Sequence, residues 1–168
     1  MQIISFIIYY LLLVKLWKLD NIITQKILFE IDQIEEHINA SSPLFDLCKI
    51  KEPDYVEKCG ISMILHSFYN GIENVLLLIM KNKDSNLPNG IKWHKELLSK
   101  AFEKTENRTE ILRLGLDIPL NEYLKFRHFV RNTYGFQLKW EDMKAMLFNL
   151  HDVWNIIKED IKVFIEKN

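Results

Sequence analysis

Two long apolar runs at helical spacing decide what this chain can fold into. Ile61, Ile64, Leu65, Phe68, Ile72, Val75, Leu76 and Ile79 make the first. Met143, Met146, Leu147, Leu150, Val153, Trp154, Ile157, Ile161 and Phe164 make the second. Each recurs in steps of three and four, so each presents one greasy stripe that needs another helix to cover it. No stretch alternates with strand period for long enough to compete. Five glycines and four prolines in 168 residues also leave too little turn chemistry for a β-rich fold. The pattern predicts an all-α, up-and-down helical bundle.

The remaining helices follow from the same spacing. Ile22, Ile23, Ile27, Leu28, Ile31, Ile34 and Ile38 predict a helix over residues 21–39, with Glu30, Asp32, Gln33, Glu35 and Glu36 on its other side. Ser41-Ser42-Pro43 breaks it, and a connecting segment is expected as far as Pro53. Asp54 is a suitable N-cap for the helix that carries the first seam to about Lys81. Gly60 and Gly71 inside that helix each cost about 1 kcal/mol in propensity, and they let a neighbouring helix come close. A polar loop ends at Pro88-Asn89-Gly90. A short helix is predicted from Trp93 to about Glu103. Pro119 suits the first turn of the next helix, expected to reach Tyr134 and stop at Gly135. The last runs from Trp140 to about Glu166. Residues 21–168 thus read as one helical domain, preceded by an apolar extension over residues 1–20.

That extension admits three readings. Ile3 to Val14 is apolar but for Ser5, with Lys15 and Lys18 behind it. It is short for a spanning helix unless Leu16, Trp17 and Leu19 are counted, and it has neither the basic start nor the cleavage site of a secretory signal. A membrane anchor through residues 1–19 with a tethered body is one account. An extra helix docked on the bundle and a later true start are the two favoured over it. The formal charge of -1 exerts no global pull on nucleic acid, so any such contact must be local. Cys48 and Cys59 match no zinc pattern and read as thiols of a reduced, cytoplasmic chain.

Two groups of residues carry chemistry. Arg127 and Arg131 are four apart, with Tyr134 three further on, so a continuous helix would place all three on one face. Lys125 and Lys139 add positive charge, and His128 and Asn132 form the adjacent pair. Guanidinium forks suit a phosphate, while a solvated basic face is the plainer account. Phe126, Phe129 and Phe136 interleave with these charges and read first as core, with base stacking as the alternative. The second group is His66, Tyr69, Asn70 and Glu73, a polar stripe opposite the first seam. It either faces solvent or lines a cleft against the arginine helix, with His66 free to titrate near neutrality. Trp93-His94 reads as packing plus a partly exposed imidazole.

Three stretches together resemble the HepT-like group of HEPN-domain proteins: His66-Ser67-Phe68-Tyr69-Asn70-Gly71-Ile72-Glu73, Trp93-His94-Lys95-Glu96-Leu97-Leu98, and Phe126 through Phe136 with Leu138 and Trp140. The similarity runs from about Ile22 to the C-terminus. It implies a HEPN-type bundle that forms homodimers and acts on RNA, tRNA included, as the toxin of a toxin–antitoxin pair. The implied activity is a metal-independent endoribonuclease that needs no cofactor. The implied partner is a nucleotidyltransferase antitoxin that adds AMP to the motif tyrosine, here Tyr134. The implied catalytic set is Arg127, His128 and Asn132, with Arg131 and Lys125 holding phosphate; His66, Tyr69 and Glu73 are secondary cleft candidates. The family motif has histidine where this chain has Asn132. An amide exchanges no proton near neutrality, and losing general acid–base help typically costs 10²–10⁴ in rate. The expectation is therefore a weakened nuclease, with His128 one turn earlier as the substitute. The alternative is an inactive module binding RNA, nucleotide or the nucleotidyltransferase.

Overall fold

The helix predicted from Asp54 is the axis of the molecule. The computed structural model describes residues 2–84 and 86–167, with side chains from residue 21 onward. Its elements are α1 (Gln2–Ala40), α2 (Ser42–Ile50), α3 (Tyr55–Lys83), α4 (Trp93–Ala101), α5 (Asp117–Arg131), a 3-10 turn (Gly135–Gln137) and α6 (Trp140–Lys167). No strand occurs among the described residues. α3 packs against α1, α4, α5, α6 and the 3-10 turn. Being surrounded, it buries more than one stripe: Tyr69 and Glu73 lie inside together with the predicted seam. α3 is long and apolar enough to cross a membrane, but 61% of its most apolar window is buried in the bundle, which marks a core helix. The readings of residues 1–20 as anchor or docked helix concern side chains that lie outside the described residues.

Local chemistry sets the element ends. The Asp54 side chain accepts from Glu57 N at 2.9 Å while Glu57 accepts from Asp54 N at 2.7 Å, a reciprocal capping box. Gly71 lies where α1 crosses: a Cβ there would come within 2.5 Å of Ile34 Cγ1. Gly90 and Gly115 take φ of +85° and +101°, conformations that other residues rarely adopt, in the loops flanking α4 and α5. In the core, the Phe68 ring meets Tyr123 edge-on at 5.1 Å and Trp154 at 6.2 Å. Tyr123 Oη donates to Met146 O at 2.7 Å, tying α5 to α6.

Two expectations need correction. The stretch after Ala40 is a helix, α2, rather than a connection. Pro43 falls in its first turn, where a missing N–H costs nothing, and Phe45 and Cys48 give it a buried face. α5 ends at Arg131, three residues before Tyr134, because Asn132 leaves helical geometry and Gly135 opens a new turn rather than closing the old one.

Candidate functional site

α5 buries Leu120, Tyr123, Leu124 and Arg127. That spacing is a core stripe, and it puts an arginine where an apolar residue is expected. Arg127 is only 8% exposed. Its Nε donates to Asn70 Oδ1 at 2.6 Å and lies 3.1 Å from Glu73 Oε2. Its Nη1 meets His94 Nε2 at 3.3 Å, and His94 Nδ1 lies 2.7 Å from Glu73 Oε1. A guanidinium cannot accept a hydrogen bond, so His94 Nε2 must offer its lone pair and Nδ1 must carry the proton donated to Glu73. The tautomer is thereby fixed. α3, α4 and α5 are joined by a closed cluster of the Arg127 guanidinium, the Glu73 carboxyl and the neutral His94 imidazole. Nη2 of Arg127 makes no hydrogen bond among the described residues.

The electrostatics support the neutral imidazole, whereas burial works against the carboxylate that faces Arg127. Burial holds His94 at about 4, helped by the charges of Arg127, His128 and Arg131, so its ring is neutral near pH 7. Burial pushes Glu73 up to about 7, with Arg127 and then Arg131 pulling the other way. Burial, then Arg127 and Arg131, also keeps His66 below its ordinary value. Burial raises Tyr69 above the usual phenol range. His66 Nδ1 and Tyr69 Oη are buried without a hydrogen-bond partner among the described residues.

The two arginines do not form one fork. Arg127 points inward and is paired; Arg131 is exposed, yet close enough for its charge to act on His66, Glu73 and His94. His128 is exposed on the next face, its ring 5.6 Å from that of His94 and nearly perpendicular to it. Asn132 is the C-cap of α5, and its Nδ2 donates to His128 O at 2.8 Å. Tyr134 lies beyond the helix end in solvent, so it does not share a helical face with the arginines. Lys125 pairs with Glu122 at 3.0 Å. The ≈ 430 Å³ cleft between α5 and α6 is lined by Lys125 itself together with Glu122, Glu141 and Asp142, so acids outnumber bases there. Phe126 is core, whereas Phe129 is 40% exposed and Phe136 stands in solvent. Among the described residues no group of three or more His, Cys, Asp and Glu side chains is placed to hold a metal ion.

Sequence reasoning missed His94, which is buried rather than partly exposed, as the link between Glu73 and Arg127. The signal was present: Arg127 sits on the apolar stripe of α5, and an arginine in a core position demands a buried acceptor.

Fold and site together define an all-helical bundle of the HEPN type, with a basic motif closing α5 against the central helix. A family model described as HepT-like protein matches residues 60–168, and the chain belongs to that family, as the sequence motifs led us to expect. The match starts inside α3, leaving α1 and α2 outside it, and so is narrower than the resemblance from Ile22. No curated protein and no solved structure gives a significant match.

Proposed function

We propose that this HepT-like protein acts on RNA as the toxin component of a toxin–antitoxin pair, as a metal-independent endoribonuclease of reduced activity. The observation that carries the reading is the immobilised Arg127. Two of its nitrogens are tied to Asn70, Glu73 and His94, and Nη2 is left over, one residue from the exposed His128. A guanidinium held in advance loses little entropy on meeting a phosphate, and it stabilises the charge that develops there when a 2′-hydroxyl attacks phosphorus, the P–O5′ bond breaks and the 5′-oxygen leaves as a protonated hydroxyl, giving a 2′,3′-cyclic phosphate. His128 takes the proton in this scheme, because Asn132 has none to exchange and its amide is engaged with its own helix. Arg131 supplies the open positive charge. The cytoplasmic homodimer, the nucleotidyltransferase partner and AMP transfer to Tyr134 belong to the same reading; the free exposure of Tyr134 is compatible with modification.

A second reading has its own support: Glu73 offsets the charge of Arg127, and Asn132 replaces a proton carrier, which together favour a module that binds RNA without cutting it. Incubating the purified protein with tRNA and total RNA, beside Arg127→Ala, His128→Ala and Asn132→His, separates the two. Cleavage that depends on Arg127 and His128 and rises in Asn132→His is expected. No cleavage by either the native chain or Asn132→His refutes the enzyme and leaves the binding module.

A further inference from the structure

Two aromatic rings stand in solvent directly after the arginine helix. Tyr134 is 74% exposed and Phe136 73%. The rings stack on each other with centroids 5.9 Å apart and planes 11° from parallel. The turn that carries them is fixed on every side. Thr133 Oγ1 donates to Gln137 Oε1, which also accepts from Tyr134 N at 3.4 Å. Gln137 N donates to Tyr134 O at 2.9 Å and Leu138 N to Gly135 O at 3.1 Å, with Leu138 anchored in the core. Gly135 lies hard against α3: a Cβ there would come within 2.9 Å of Tyr55 Oη and 3.0 Å of Cys59 Sγ. Residues 128–139 contain no carboxylate, whereas Arg131 and Lys139 are both exposed there. Glu141 and Asp142 come only after the buried Trp140.

We propose that the Tyr134–Phe136 pair is a stacking platform for an unpaired base of single-stranded RNA, with Arg131 and Lys139 meeting the flanking phosphates. The proposal rests on the RNA-targeting reading and specifies its substrate class. The rings are already stacked and held, so a base adding to the outer face loses little side-chain entropy and covers apolar surface that folding left wet. A duplex keeps its bases stacked inside and offers no free face, so the platform selects single strands. The stretch that carries the rings, residues 128–139, brings exposed Arg131 and Lys139 and no acid of its own, and so suits a polyanion better than a second copy of a chain with net charge -1.

Fluorescence anisotropy with a labelled single-stranded RNA and a duplex of the same length tests this in the full chain. Phe136→Ala and Tyr134→Ala, both at exposed positions, are expected to weaken single-strand binding roughly 5- to 150-fold each, with Phe136→Trp restoring it and duplex binding unchanged. If both alanine variants bind within about twofold of the native chain while Arg131→Ala fails, the platform is wrong and the RNA reading stands. If the native chain binds no RNA, both fall. If Phe136→Ala instead turns a dimer into a monomer in sedimentation, the rings are an interface between copies and the platform is again overturned.

Discussion

Replacing Glu73 by leucine strands the charge of Arg127. The two side chains are 10% and 4% exposed, and Nε to Oε2 is 3.1 Å. At that separation, with an effective dielectric of about 20, the gross attraction is about 5 kcal/mol. Desolvation offsets much of it, yet removing one partner of a buried pair typically costs about 3–5 kcal/mol, since the remaining charge has nowhere to go. For a domain of this size that is a large fraction of the ~5–15 kcal/mol total. Glu73→Leu should therefore move the urea midpoint sharply downward with little change in slope. Arg127→Met should cost less, because it leaves a carboxyl that can protonate. The double variant should be more stable than Glu73→Leu alone, since the pair is gone together with its desolvation. Urea unfolding of all four forms measures the coupling. A Glu73→Leu cost below about 1 kcal/mol, additive with Arg127→Met, would refute the buried pair and mean that Arg127 already reaches water.

Three further outcomes can be checked. Arg108 is buried, bidentate on Asp84 at 2.7 and 3.0 Å, and donates to the carbonyls of Lys100, Glu103 and Thr109; Arg108→Ala should cost about 3–5 kcal/mol in urea, and a loss under ~1 would sink that view. Gly71→Ala should cost about 1–3 kcal/mol and be far less harmful in an Ile34→Ala background, because the clash is with Ile34; simple additivity would argue against close α1–α3 packing. For pH, His94 at about 4 lies below its ordinary 6.5, so its share of stability is lost as pH falls from about 6.5 toward 4. Glu73 at about 7 lies above 4.5, so its share is lost as pH rises through that window. The two slopes oppose each other in the native chain. Glu73→Gln removes the second, so its midpoint should drop between pH 6.5 and 5 while the native midpoint stays nearly level; parallel profiles would contradict the assignment.

Much of the bundle was legible because periodicity is local. The seams of α3 and α6 are buried almost residue for residue, with only Met146 partly open. The Asp54 cap is where turn chemistry puts it. What periodicity cannot register is which polar residue loses its water. His94 follows Glu73 by 21 residues and Arg127 follows His94 by 33, and only the crossing of α4 and α5 over α3 brings them together. The same holds for Arg108 and Asp84, 24 apart with α4 between them and both lying in connecting segments that carry no periodic signal. The end of α5 was misjudged for a different reason. Gly135 is a plausible helix stop, but the chain had already turned at Asn132, whose side chain reaches back to the carbonyl of His128. That error mattered for function, since it placed Tyr134 on a helical face rather than on a separate rigid turn.

Because α3 supplies both the central seam and the Asn70–Glu73 anchor of Arg127, the basic motif has no hinge of its own. If the proposed activity holds, a reagent or partner that blocks it has little to bend and would have to cap the face, occupy the aromatic pair or alter a side chain chemically. Heat, by the same logic, should remove function and tertiary structure at a single temperature.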